Sequence, residues 1–239
     1  MSFRGNYAAY VSVGEQKAKA ARQRAKLRKK NPDLAPVLIE GRTLAKTWWG
    51  QAWNRNLESY ADFSNRITRG KSYVKNGMVL DLQITQGLVK ALVSGSRATP
   101  YEVLIGVDIL PEKRWKKISH AFSNKIGSVA ELAEGKFPEE LAQTFLAQKE
   151  GLFPSPQEIH LGCSCPDWAE MCKHISAVLY GVGARFDEDP LLFFMLRGIP
   201  FEDLLKKSVD EKMASLLQNA DAPSARIIEE ENIEALFGL

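Results

Sequence analysis

The sequence predicts an α+β fold: an antiparallel β-meander with packed helices, then a small metal-stapled hairpin and helix, then C-terminal helices. Three observations predict it. Apolar and polar residues alternate over 80–85, and strand-like runs with turn signals between them follow at 88–94 and 101–107. Apolar residues at helical spacing occur before and after these runs. All three cysteines lie in one twelve-residue stretch, 163–174.

Length and composition bound the function. The chain has 239 residues, 45% of them hydrophobic, which is enough for one large or two modest domains. No apolar run approaches the roughly 18 residues that span a bilayer, and the N-terminus lacks the apolar core of a secretion signal. Thiols kept for a metal suit a reducing compartment. We therefore expect a cytoplasmic protein with no membrane partner, although organelle transit peptides share its basic, acid-poor start.

The charge is unevenly distributed along the chain. Residues 1–75 contain 16 Lys and Arg against 5 Asp and Glu, or +11, whereas residues 76–239 contain 16 against 24, or −8; together they give the net +3. Such a split predicts a basic end for polyanions and an acidic end for another kind of partner.

Composition and motifs divide the chain into four segments. We predict a basic N-terminal arm over 1–42 and an α+β domain containing the meander over 43–150. A metal-binding module follows over 151–200, and a helical, acidic tail occupies 201–239.

The basic arm carries eight cations and no acid over 17–30. Its alanines make a helix feasible, and Asn31-Pro32 would stop that helix. A phosphate-binding arm and a solvated, disordered tail explain this composition equally well. The cations are Lys17, Lys19, Arg22, Arg24, Lys26, Arg28, Lys29 and Lys30.

A tryptophan-rich helix is predicted to begin near Thr43. Trp49, Ala52, Trp53 and Tyr60 share one face, which favours a helix facing the core over a platform on which bases stack. Trp48 lies off that face and is the better candidate for exposure.

Asn76-Gly77 predicts a tight hairpin turn between strand-like runs. Cations lie in and beside the predicted hairpins, where as a group they suit a rim that follows a phosphate backbone. Individually, each cation also suits a second role, in which a charge at a strand edge prevents that edge from pairing with another chain and aggregating. These cations are Arg66, Arg69, Lys71, Lys75, Lys90 and Arg97.

Proline positions predict the later helices. Pro111 and Pro138 begin two of them, and His120 is expected on the surface of the first. Pro190 opens a short apolar helix, preceded by an acidic loop at 187–189. An acidic amphipathic segment at 226–237 suits either docking on a partner or a frayed terminus.

The cysteine-rich stretch has the spacing of a metal site. Cys163 and Cys165 face the same way if residues 159–162 enter as a strand. Pro166-Asp167 opens a turn that returns the chain, and Cys172 and His174 then begin a helix. Gly181 and Gly183 are predicted to end that helix. The alternative is three ordinary buried cysteines, which such clustering disfavours.

Three thiolates and an imidazole form a closed tetrahedral set for one structural zinc ion, and soft sulfur ligands disfavour calcium or magnesium. A catalytic zinc keeps a position open for water, so we expect no enzyme activity. A zinc enzyme would need a replaceable ligand and a general base, for which the spacer offers only Asp167 and Glu170.

The order CxC, six residues, then CxH leading into a helix closely resembles the SWIM zinc finger. The resemblance implies that Cys163, Cys165, Cys172 and His174 are the zinc ligands. Asp167 and Lys173 are candidate partners of those ligands, and His160 is a less favoured one.

The likeness extends over about 43–200. Trp48-Trp49, the Arg69-Gly70-x-Ser72-Tyr73 segment and the meander resemble the region preceding the finger in bacterial SWIM proteins. That family implies work on nucleic acid, with DNA favoured over RNA, and a Swi/Snf-type ATPase partner. The alternative is a structural subunit that binds only protein.

Overall fold

The computed structural model confirms the α+β class. The chain divides into two units, Met1–Phe201 and Glu202–Leu239. Apart from Met213 the second unit lies outside the described residues, as do Tyr60 and the predicted acidic segment at 226–237. The described residues are 11–59, 64–122, 139–147, 149–200 and 213.

Among the described residues, four strands form one antiparallel sheet in the order β1-β2-β3-β4. The first three are the predicted meander, and the fourth is the strand expected to carry the first two cysteines. It pairs with β3 so that Cys163 lies opposite Val103 and Ile159 opposite Val107. The strands are β1 (Val79–Thr85), β2 (Leu88–Val93), β3 (Tyr101–Val107) and β4 (Ile159–Cys163).

One helix, α6, connects the sheet to the other helices. It contacts α2 and α3 as well as the strands, and its own side chains are almost all buried. The described helices are α1 (Val13–Arg28), α2 (Trp48–Glu58), α3 (Ser64–Lys75), α4 (Glu112–Phe122), α5 (Glu139–Leu146), α6 (Lys173–Glu188) and α7 (Leu191–Leu196), with one 3₁₀ turn at Pro156–Glu158.

Helix α2 buries the predicted tryptophan face. Trp49, Ala52 and Trp53 are fully buried, and the Trp53 indole donates to the Leu179 carbonyl of α6 at 2.8 Å, which satisfies its polar atom. Trp48 is exposed only in part, because its ring packs edge-on against Trp49 at a centroid distance of 4.9 Å.

The hairpin predicted at Asn76-Gly77 is wrong. Residues before it form α3, and Gly77 has φ +68° just beyond the end of that helix. The Met78 amide donates to the Tyr73 carbonyl at 3.1 Å, which is the closing bond of a helix C-terminus. A left-handed glycine serves a hairpin and a helix end equally well, so the dipeptide did not distinguish them.

The predicted helix stop at Gly181 and Gly183 is also wrong, since α6 continues to Glu188. Both glycines lie where another element approaches. A Cβ on Gly183 would lie 2.6 Å from the Asn54 side-chain oxygen, and one on Gly50 would lie 2.4 Å from the Gly183 carbonyl. These glycines permit close helix packing.

The acidic loop predicted at 187–189 begins instead with the last turn of α6. The Asp187 carboxylate accepts from the Lys46 amide at 2.5 Å and from the Thr47 amide at 3.0 Å. A carboxylate there satisfies amides at the start of α2. The short helix α7 follows as predicted and buries Phe193 and Phe194 against Trp49.

Candidate metal centre

The first pair of cysteines lies at the end of strand β4. Beyond Cys163, the Ser164 amide donates to the Glu102 carbonyl and the Glu102 amide donates to the Ser164 hydroxyl, both at 2.9 Å. These two bonds extend the strand pairing by one residue. The chain between the two cysteines is therefore fixed to β3 as an extended segment, as the CxC spacing predicts.

The second pair lies at the start of α6. Cys172 is the N-cap residue, and its sulfur accepts from the Ile175 amide at 3.5 Å. A helix N-terminus favours a negative charge, so it favours the thiolate that a metal requires. His174 lies in the first turn of the same helix and is 4% exposed. The predicted position of this pair is thus confirmed.

The four side chains converge on one point. Their ligand atoms all lie within 4.8 Å of one another. His174 Nδ1 lies 3.9 Å from Cys163 Sγ and 3.8 Å from Cys172 Sγ. Around a tetrahedral zinc, a sulfur and a nitrogen ligand are about 3.5 Å apart. The cluster can hold one metal ion, with Nδ1 as the ligating nitrogen.

Hydrogen bonds within the cluster stabilise a negative charge on one of its sulfurs. Hydrogen bonding from Cys163, aided by His174 and the Ile175 amide, lowers the pKa of Cys172 to about 4. The Cys172 thiolate and partial burial in turn raise the pKa of Cys163. One thiolate is therefore stabilised by its neighbours' protons, and a bound cation would displace those protons.

Two tyrosines and a glycine enclose the histidine. Its ring lies 4.5 Å from the Tyr101 ring and 5.6 Å from the Tyr73 ring between centroids. A Cβ on Gly95 would lie 2.3 Å from the Tyr101 ring and 3.0 Å from His174 Nε2, so only glycine lets the β2–β3 loop approach so closely. Nε2 is buried and has no hydrogen-bond partner among the described residues.

Of the three residues predicted to support the ligands, Asp167 and Lys173 lie next to the cluster in the chain and contact α3, whereas His160 lies away from it. Asp167 pairs with Arg66 of α3; burial opposes its ionisation, but Arg66 outweighs this and lowers its pKa. Lys173 Nζ lies 5.0 Å from the centre of the Tyr73 ring. His160 instead lies at the other end of β4, where Nε2 is 2.9 Å from Asp108 Oδ1, and it takes no part in the cluster.

The basic arm includes helix α1, which begins with a capping box between Ser12 and Glu15. Its Ala20 is buried. Lys19 Nζ donates to the Gly95 carbonyl at 2.7 Å and to the Ser96 carbonyl at 3.0 Å. The helix thus contacts the same loop that encloses His174.

The cations predicted to meet nucleic acid lie on helices α1 and α3, on strand β2, which carries Lys90, and in the β2–β3 loop. Lys17, Lys19, Arg22, Arg24, Lys26 and Arg28 are on α1, followed by Lys29 and Lys30. Arg66, Arg69, Lys71 and Lys75 are on α3 rather than in a hairpin, and Arg97 is in the β2–β3 loop. Lys71 pairs with Glu58 at 2.8 Å, while Arg97 donates to the Ser164 carbonyl at 3.3 Å and lies over the Tyr101 ring.

Sequence reasoning missed two features of this region. The pattern predicts Tyr101 only as a strand residue, whereas its ring packs on the histidine of the candidate metal cluster. Trp168, between the ligand pairs, is 92% exposed. Its place after the Pro166-Asp167 turn, outside any periodic pattern, was the available signal.

None of the helices in the described part of the chain has the length and apolar character that a membrane span requires.

The chain matches no protein-family model and no solved structure. It is 37% identical over 183 residues to the uncharacterized protein Rv2102 of Mycobacterium tuberculosis. The match covers 76% of this chain and 64% of that protein, so the chain spans less than two thirds of its relative's length.

Proposed function

We propose that Cys163, Cys165, Cys172 and His174 bind one zinc ion as a SWIM-type structural staple in a non-enzymatic module that binds nucleic acid. The observation that carries the metal assignment is the approach of all four ligand atoms to within 4.8 Å. Three sulfurs and one imidazole are a ligand set that zinc prefers.

A structural role follows from the number of ligands. Four protein ligands fill a tetrahedral shell, whereas catalytic zinc uses three and leaves one position for water. The neighbouring carboxylate Asp167 is paired with Arg66, which makes it a poor general base. Both points support binding rather than catalysis.

Support for nucleic acid comes from charge. Residues 1–75 carry an excess of 11 positive charges, and helix α1 displays Lys17, Arg22, Lys26 and Arg28 as exposed side chains. Cations arranged along one helix suit a phosphate backbone. DNA is favoured over RNA, and a Swi/Snf-type ATPase is the proposed protein partner, both from the SWIM resemblance. The thiol ligands suit the reducing cytoplasm.

A second candidate is a structural subunit that binds only protein. The excess of eight negative charges over residues 76–239 favours it, since an acidic surface repels phosphate.

Native mass spectrometry of the full chain tests the metal. We expect one zinc per chain in the wild type and none after His174→Ala. His160→Ala is the matched control, because that histidine lies outside the cluster, and it should keep the metal. A wild-type protein that binds no zinc would overturn the assignment.

Gel shifts over a salt series test the nucleic-acid step. Each phosphate contact contributes about −0.9 to the slope of log K against log salt on duplex DNA. The quadruple change Lys26→Gln, Arg28→Gln, Lys29→Gln and Lys30→Gln should flatten this slope, whereas Lys113→Gln with Lys116→Gln on α4 should not. No shift for the wild type even at low salt, together with a co-purifying protein, would favour the second candidate instead.

A further inference from the structure

Trp168 is placed differently from the other tryptophans. Trp49 and Trp53 are buried, and Trp48 and Trp115 pack against the core, whereas Trp168 is 92% exposed. It lies between Cys165 and Cys172, so two metal ligands fix the ends of its short loop. A large ring displayed on a loop with fixed ends is suited to meeting a partner, because little entropy is lost when it is covered.

Cations surround this loop. Arg66 pairs with Asp167, the residue before the tryptophan, and Arg69 follows one turn further along α3, where it is exposed. Arg97 donates to the carbonyl of Ser164, the residue just before the loop begins, and Lys173 follows directly after Cys172, where the loop ends. Against these four cations stand three acids, namely Asp167, Glu170 and Glu102, which is exposed and pairs through its backbone with Ser164. The patch therefore keeps one net positive charge.

An exposed aromatic ring among cations matches one ligand chemistry well. A base stacks on the ring while the neighbouring cations meet the phosphates on either side. Bases in a duplex are already stacked on one another and do not offer a free face. The charge of the patch and the form of its aromatic group therefore both favour a single strand.

We propose that Trp168 is a stacking platform for single-stranded nucleic acid, with Arg69 and Lys173 contacting its phosphates. The inference rests on the proposed nucleic-acid function and specifies its substrate. Arg66 acts as a positioning residue, since its ion pair with Asp167 holds the loop against α3.

Fluorescence anisotropy of a labelled oligo-dT with the zinc-loaded full chain tests the platform. We expect Trp168→Ala to weaken binding by about 5- to 150-fold, the range for losing one stacked base. Trp168→Phe should retain most of the affinity because it keeps a ring. Ile109→Ala, which truncates another exposed apolar side chain, should have no effect.

The salt dependence separates the ring from the cations. Trp168→Ala should leave the slope of log K against log salt unchanged, because the ring carries no charge. Arg69→Gln and Lys173→Gln should each reduce the slope by about 0.7, the value per phosphate of a single strand. Zinc content and thermal unfolding of each variant show that the fold is intact.

The outcomes distinguish a failure of the stacking platform from a failure of the proposed nucleic-acid function on which it rests. If the wild type binds oligo-dT and Trp168→Ala binds it equally well, the platform is wrong while nucleic-acid binding stands. If the wild type binds neither oligo-dT nor duplex DNA at low salt, the proposed function fails and the platform fails with it.

Discussion

The polar groups at the two ends of strand β4 are stabilised in different ways. At the Cys163 end, four side chains offer ligands to a cation. At the Ile159 end, the preceding residue Glu158 accepts from Arg197 at 3.0 Å and from Arg114 at 3.1 Å. Arg197 is fully buried and also donates to the Asp108 carbonyl. The polypeptide therefore supplies both signs of charge at one end and only the ligands at the other.

The two ends should therefore respond to different conditions, one to mutation or pH and the other to the supply of metal. A buried ion pair is complete once the chain folds, and it is disturbed by mutation or by protonation. A thiolate cluster is complete only when a metal has displaced its protons. Perturbing one end should therefore leave the other largely intact, and the following experiments test that independence.

The largest effect is expected at the metal end. His174→Ala should abolish zinc binding, which contributes about 10–16 kcal/mol of apparent free energy in zinc-finger peptides. Hydrogen exchange should accelerate over 163–176 and remain slow in α7. His160→Ala should change neither region. Equal acceleration at both ends would show that the two ends are coupled.

The next effect is expected at the ion-pair end. Arg197→Met removes one of the two cations that pair with the Glu158 carboxylate and leaves only Arg114. We expect a loss of stability smaller than the about 3–5 kcal/mol of a fully broken buried pair, because Arg114 still compensates part of the charge. Urea unfolding of the zinc-loaded protein measures it. The double variant Arg197→Met, Glu158→Gln should recover part of the loss. Glu150→Gln, which breaks an exposed pair with Lys117, should leave the urea midpoint unchanged.

A smaller effect is expected from pH. Burial opposes ionisation of Glu158, but hydrogen bonds from the Ser155 amide and from Arg197 outweigh it, so the pKa lies below its usual 4.5. A lowered pKa stabilises the folded state fully above about pH 4.5, and this contribution is lost as the pH falls through the folded value.

The measurement is the difference in unfolding free energy between wild type and Glu158→Gln at each pH. Release of metal in acid affects both proteins and cancels in this difference. We expect the difference to shrink steadily below pH 4.5. A difference that does not vary with pH would mean that the ionised carboxylate contributes nothing.

The smallest effect concerns helix α1, which contacts the loop that encloses His174. Lys19→Ala removes donors to the Gly95 and Ser96 carbonyls. Hydrogen exchange should accelerate in α1 alone, with zinc content and the thermal midpoint unchanged. Lys26→Ala, at an exposed position of the same helix, is the control. A loss of zinc in Lys19→Ala would make α1 part of the metal end.

Local patterns predicted the elements whose signal is periodic or chemical. Alternation located β1, strand-like runs bounded by turn signals located β2 and β3, and the face of Trp49 and Trp53 located α2. Cysteine spacing located the ligand cluster, because CxC on a strand and CxH at a helix start fix side-chain direction within a few residues. These predictions needed no information from distant parts of the chain.

Two of the predictions that failed depended on distant partners, and a third failed because one local signal has two meanings. The sequence predicts a helix stop at Gly183, because nothing local reveals that Gly50 and Asn54 approach it. It predicts a loop at Asp187, because the amides from which this carboxylate accepts hydrogen bonds lie some 140 residues away. The turn at Gly77 was ambiguous because left-handed glycine ends helices and closes hairpins alike.

The sequence by itself determined the fold class, the four residues of the candidate metal cluster and the separation of charge, since each is written in the spacing or identity of neighbouring residues. Only the tertiary structure decided that Tyr101 and Gly95 enclose His174, that Arg197 lies buried on Glu158, and that Trp168 remains exposed. Burial and long-range pairing arise when distant segments pack together, so no window of local sequence contains them.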